Sequence, residues 1–337
     1  MKEFFGQLPT GETASLYTLR SGQLKATVTD FGAGLVSLWV PDRDGRLADV
    51  VLGYDTPADY AADTMFLGAP VGRNANRIAG ADFKLGAKHI HLCCNENGNN
   101  LHSGPDFYHH RMWEVTEPEE DRITLRLFSP HGDQGFPGNA HISITYALEG
   151  DTLRIRYDAR SDRDTIFNMT NHSYFNLAGH DHPELAAGQT LSMPARYFTP
   201  ATAESIPTGE LRSVEGTPMD FRTPKPICRD IDQDYQPLQL ANGYDHNFEV
   251  FCNPCAILRD PTSGRTLSIS TDCPGLQLYS GNFVEGTGKG GVHYGPRSGI
   301  ALETQFYPDA IHKSNWAQPV FKAGQHYHSE TSYRFTW

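Results

Sequence analysis

Short runs in which apolar and polar residues alternate recur along the whole chain. Gln23 to Val28, Arg122 to Leu127, His141 to Tyr146, Thr152 to Tyr157, Thr266 to Ser270 and Ser332 to Phe335 all show it. A period of two places every second side chain on one face, so each run predicts a strand with one buried side. The best helix candidates, around Ala58 to Ala62 and Ile231 to Tyr235, are too short for the crossovers that join parallel strands. The expectation is therefore all-β: a large antiparallel sandwich. The 32 glycines and 22 prolines are spread along the sequence, and no internal repeat or heptad divides it. One domain over residues 1–337 is the simplest organisation.

Composition narrows the function classes. A chain of 337 residues can bury roughly 75% of the surface its unfolded form exposes. With 38% hydrophobic and 20% charged residues it has the make-up of a folded protein rather than a disordered one. A formal charge of −12 repels polyanions and argues against a nucleic-acid partner. No stretch reaches the roughly 18 to 20 apolar residues of a membrane span. The opening Met1 to Phe5 lacks an export signal, which leaves the cytoplasm as the default location. The six cysteines are too sparse for a disulfide scaffold, so reduced thiols are expected. Cys252 and Cys255 have the spacing of half a zinc or redox site, but Asn253 and Pro254 between them read as a turn and no second pair follows.

Six segments concentrate chemistry, and each also has a plain structural reading. Gly72 to Ile78 contains Arg73, Asn74, Asn76 and Arg77: donors suited to sugar hydroxyls, or equally an Arg salt bridge and Asn side chains holding a loop. His102 and His172 lie among turn and amide residues, where an imidazole can meet a ligand and exchange a proton near neutrality. A histidine taken at random from 15 is more often a hydrogen-bonding partner than a catalyst. Asp245 follows Asn242-Gly243-Tyr244. It can accept two hydroxyls, with Tyr244 or Phe248 covering a pyranose face, although a helix cap or Asx turn is the cheaper reading. Gln277 and Phe283 either face a ligand or pack. Glu303 sits in the apolar run Ile300 to Phe306, so it is either an edge-strand surface residue or a carboxylate with a purpose.

Taken together, Gly72 to Ile78, Leu101 to Gly104, Asn171 to Leu177, Gly243 to Phe248, Gln277 to Phe283 and Leu302 to Ala310 resemble, in order and spacing, the motifs of the aldose 1-epimerase (galactose mutarotase) family. Asp133 to Gly138, Ile206 to Gly209 and Gly216 to Arg222 extend the resemblance from about residue 25 to the last strand. It implies a large antiparallel β-supersandwich with an open cleft for a free aldose such as galactose or glucose, and no metal or nucleotide cofactor. It further implies Glu303 as the base at the anomeric hydroxyl and His172 as the acid at the ring oxygen. Asn76, Arg77, His102, Asp245 and Gln277 would bind the sugar and steady its charges. At neutral pH the base is expected as a carboxylate and the acid as an imidazolium. Monomer and homodimer both stay open.

The chain also departs from the family pattern. Ser103 stands where the first of two glycines is usual, Phe107-Tyr108-His109-His110 replaces a glycine, aromatic, acid, lysine run, and Cys273 takes a commonly acidic place. Two other functions compete: a hexose-6-phosphate 1-epimerase, with Arg73 and Arg111 as candidate phosphate ligands, and a noncatalytic carbohydrate binder, which needs no acid-base pair. A glycosidase would need a leaving-group site and usually two paired carboxylates.

Overall fold

A computed structural model describes residues 1–116 and 118–337. All six alternating runs are strands: Leu24–Thr29, Arg122–Ser129, Ala140–Glu149, Thr152–Ser161, Thr266–Thr271 and Tyr327–Thr336. Every ladder between named strands is antiparallel. In Ala140–Glu149 the alternation does what the pattern predicts, since Ile142, Ile144 and Tyr146 are buried while His141 is exposed and Ser143 and Thr145 half-buried.

Three large sheets build the body. An N-terminal sheet of five strands covers Lys2–Gln7 to Leu47–Asp49. A nine-stranded sheet has Thr152–Ser161, Tyr327–Thr336 and Thr266–Thr271 as adjacent central strands. A six-stranded sheet runs Tyr174–Phe175, Ile300–Gln305, Gly275–Tyr279, Asp245–Glu249, Tyr197–Thr199, Arg212–Ser213. One contiguous apolar cluster joins all three: Leu19 and Leu38 from the first, Ile155 and Leu267 from the second, Leu278 and Leu302 from the third. Burial of such side chains is the main favourable contribution to the fold, about 25 cal/mol per Å² of apolar surface.

The two helices are short, as expected, but only one lies where the pattern put it. Pro57–Ala61 is capped by Thr56, whose hydroxyl accepts from the Asp59 amide at 3.2 Å. The second is Gln236–Ala241 rather than Ile231 to Tyr235. Pro237 lies in its first turn, where a missing amide hydrogen leaves no intrahelical bond unmade, so the proline begins the helix instead of ending one. No helix among the described residues is long and apolar enough to cross a membrane.

Arg73 belongs to this framework. It is fully buried, and its guanidinium donates to the carbonyl oxygens of Pro137 and Gly138 and to the hydroxyls of Thr165 and Ser129. The Ser129 hydroxyl passes the interaction on to Asp133 at 2.5 Å. One side chain thus ties the 72–76 loop to two others. Substituting Arg73→Met, which keeps the length but removes the donors, should strand buried acceptors and lower stability by at least about 3 kcal/mol. Urea denaturation measures it, and an unchanged midpoint would show that the network is dispensable.

Candidate active site

The site is assembled on the outer face of the six-stranded sheet. In Ile300–Gln305, Leu302 and Thr304 turn toward the core, where the Thr304 hydroxyl meets that of Thr331 at 2.5 Å. Alternation therefore turns Glu303 the other way. Glu303 is paired in register with Gln277, and Gln277 with Asn247. Asp245, two residues before Asn247, shares that face and accepts a hydrogen bond from the Gln277 side-chain amide at 2.7 Å. Glu303 is thus in an interior strand and only 2% exposed, not an edge-strand surface residue. Asp245 is a strand residue, not a helix cap; the helix before it closes on Asn242, which takes the left-handed conformation.

Loops supply the opposite wall. His172 follows the Thr170–Asn171 strand, its amide donating to the Ala69 carbonyl at 2.7 Å while its own carbonyl accepts from the Gly68 amide. These bonds aim the ring at the sheet, and its Nε2 stands 3.7 Å from Glu303 Oε1. His102 has positive φ, and its Nδ1 accepts from the Asn76 amide at 3.1 Å. Arg77, next in the chain, donates through Nε (3.0 Å) and Nη2 (2.6 Å) to Glu96. Asn76, Arg77, His102, His172, Asp245 and Glu303 line one cavity of about 410 Å³, the size of a small-molecule site. Gln277 lies behind it, holding Asp245.

Burial governs the electrostatics. It pushes the Glu303 carboxyl well above the usual range, with the nearby Asp245 charge adding to the effect and Arg77 opposing it. Asp245 is raised for the same first reason, offset by Arg77 and the Gln277 hydrogen bond. Burial pulls His172 down to about 4 and His102 well below its ordinary value. These directions favour a neutral imidazole facing a protonated carboxyl, the reverse of the ion pair expected from residue types alone. The ordinary values hold for side chains surrounded by water, and these are buried.

Rings close the site, but not the two expected. Tyr244 and Phe248 are fully buried against Phe221; Phe248 falls on the core side of its strand. Phe66 instead lies 4.8 Å from the His102 ring and 5.7 Å from that of His172, Tyr279 lies 6.2 Å from His172, and Phe283 is exposed at the rim. Residue patterns pointed to neither Phe66 nor Glu96. Tyr279 is within the run Gln277 to Phe283, and its alternation with Gln277 marks it as sharing that face.

Two other readings meet obstacles. His102, His172 and Glu303 present donor atoms within 4.8 Å of one another, a spacing that suits a metal ion. Since His102 Nδ1 accepts from an amide, the hydrogen of the neutral ring must sit on Nε2, which is then a donor without a free lone pair. The trio fits a hydroxyl-bearing ligand better than a cation. Cys255 is buried, with its thiol pushed up to about 12 by burial, and Cys252 is exposed. A reluctant thiolate suits neither zinc nor redox exchange.

Comparison with known proteins completes the description. A family model described as aldose 1-epimerase matches residues 15–334. The chain is 37% identical over 339 residues to galactose mutarotase of Bos taurus, covering 98% of this chain and 97% of that one. It is 39% identical to the aldose 1-epimerase of Haemophilus influenzae, covering 97% of each. Among solved structures it resembles an aldose epimerase homologue from C. elegans, with TM-score 0.89, 30% identity and coverage of 96% and 99%. Galactose 1-epimerase from Lactobacillus acidophilus gives TM-score 0.88 at 28% identity, over 100% and 98%. The sandwich expected from the strand pattern is thus the one these proteins share.

A buried carboxyl with a raised pKa has a thermodynamic signature. The folded state keeps a proton that the unfolded chain releases near 4.5, so Glu303 favours folding below that pH and the benefit is lost as pH rises toward the folded value. Glu303→Gln removes this dependence. The variant should melt above wild type at pH 8, with the gap shrinking toward pH 4.5; thermal unfolding at three pH values decides it, and a constant gap would contradict the burial effect.

Proposed function

The chain belongs to the aldose 1-epimerase family, and on that footing we propose that Glu303 and His172 together open and reclose the ring of a free aldohexose such as galactose or glucose, interconverting its α and β anomers. The observation that carries the reading is the Glu303 and His172 pair, 3.7 Å apart in one cavity with Arg77, His102 and Asp245. Binding alone requires no such pair.

Ring opening needs a proton removed at O1 and one delivered at O5. Glu303 takes the first and His172 gives the second; the C1–O5 bond breaks as the C1 carbonyl forms. Rotation about C1–C2 turns the other aldehyde face toward the C5 hydroxyl, and the pair reverses its roles during closure. One proton in total is required. Glu303 Oε2 is buried without a partner, so hydroxyl donors on an arriving sugar would lower the carboxyl's pKa and move the proton to His172. His102, with its hydrogen on Nε2, and Arg77 donate to oxygens that gain negative charge, and Asp245 accepts from hydroxyls. The aromatic rings of Tyr279, Phe66 and Phe283 suit the apolar face of a pyranose.

The phosphosugar alternative loses its ligands. Arg73 is buried in the framework, and Arg111 is bound to Asp106 and Asp133. The whole chain is proposed to act as one catalytic domain, because a single apolar cluster runs through its three large sheets.

Glu303→Gln and His172→Asn should each lower turnover of fresh α-galactose, followed by polarimetry, by roughly 10²-fold or more, with a smaller effect on sugar affinity. Wild-type turnover in either folded variant would remove that residue from the mechanism. Arg77→Ala and Asp245→Ala should lower catalytic efficiency. The wild-type rate should be level around neutral pH, fall near pH 4 as His172 takes a second proton, and fall again in alkali when the pair loses its single proton. A rate rising steadily with pH would favour simple base catalysis instead.

A further inference from the structure

Outside the cleft, the hairpin of Asp82–Leu85 and Lys88–His91 gathers a second group of chemical side chains. Its register pairs Asp82 with His91, Phe83 with Ile90 and Lys84 with His89. Phe83 and Ile90 face inward, packed with Ile78, Phe136 and Ile166. Asp82, His89 and His91 therefore share the outer face. His89 Nε2 touches Asp82 Oδ2, the two imidazole rings are 4.5 Å apart, and the three donor atoms lie within 4.8 Å of one another.

We propose that Asp82, His89 and His91 form a binding site for a borderline divalent cation of the zinc type. Two imidazoles and a carboxylate are ligands such an ion favours, at about 2.0–2.2 Å from each donor, with water free to complete a tetrahedron. Two features separate this trio from a chance surface cluster. The ligands come from both strands of a pleated ladder whose inner face is packed, so the backbone presets their spacing. The hairpin is also tied just beyond His91, where the Leu92 amide donates to the Ala81 carbonyl at 2.7 Å. Unlike His102, neither His89 nor His91 has a ring nitrogen that accepts from a main-chain amide of the described residues. Lys84 shares the outer face, and its exposed, flexible stem lets the ammonium swing aside.

The position gives the ion a use. The chain enters the hairpin just after Arg77 and leaves it into the segment bearing Glu96 and His102. A cation joining the two strands would staple the stems of both segments without touching the sugar.

The test is calorimetric titration of the metal-stripped full chain with Zn²⁺, its exposed thiols Cys93, Cys94, Cys228 and Cys252 first alkylated. One equivalent should bind to wild type, and His91→Ala or His89→Ala should weaken binding at least tenfold. Asp82→Asn, which preserves the fold most closely, should weaken it too. Zn²⁺ should raise the melting temperature of wild type and not of His91→Ala. The other surface grouping, His326 and His328 around Asp158, is the control: His326→Ala should change nothing. Binding that survives the hairpin variants or disappears with His326→Ala overturns the proposal, as does a wild-type chain that takes up no Zn²⁺. Sugar turnover should persist in chelator, so the outcome is independent of the reading of Glu303 and His172.

Discussion

The site rests on a division of labour within one strand. Ile300–Gln305 sends Leu302 into the apolar cluster and Thr304 onto Thr331 of the nine-stranded sheet, and these contacts leave Glu303 one direction to face. Thr331 meets Thr271 in turn at 3.1 Å, so the carboxylate is backed by two sheets bonded to each other. A one-residue slip of register would put the acid in the core and a leucine in the cleft. The tightly packed side of the sheet thereby determines the chemistry of its open side, and the energetic cost of burying a carboxyl is carried by the surrounding apolar interior.

Much of this was legible, for reasons of distance along the chain. Strand alternation is a local property, so all six alternating runs were found, whereas the second helix was displaced because the role of Pro237 depends on which turn it occupies. Asp245 after Asn-Gly-Tyr has the local chemistry of a cap. Its place becomes apparent only once three strands are in register and Gln277 lies beside it. The exchange of Tyr244 and Phe248 for Phe66 and Tyr279 has the same origin, since which ring faces a ligand depends on strand parity and on a loop more than a hundred residues away. The Arg residues of Gly72 to Ile78 illustrate both readings that were open: Arg73 fastens loops in the interior, while Arg77 reaches the cleft but is held by Glu96.

Charge state was the least legible property. Ordinary values assign a carboxylate and an imidazolium at neutral pH, yet burial moves Glu303 and His172 in opposite directions until the neutral pair is favoured. Hydroxyl donors on a bound sugar would lower the Glu303 carboxyl again and bring its proton affinity closer to that of His172, which would suit a reaction that runs in both directions. Arg77 and Glu96 add an ion pair beside them, so the guanidinium that faces the cleft has a carboxylate of the protein as its partner.

The bond from the Asn76 amide to His102 Nδ1 has a kinetic meaning. A histidine free to choose its tautomer would present a donor in some molecules and an acceptor in others, and each arriving ligand would meet a mixture. Here the main chain makes the choice as the loop folds, long before any ligand arrives. The orientation of that dipole is a property of the folded backbone, so the encounter begins with the group already set and no step of the cycle has to wait for it.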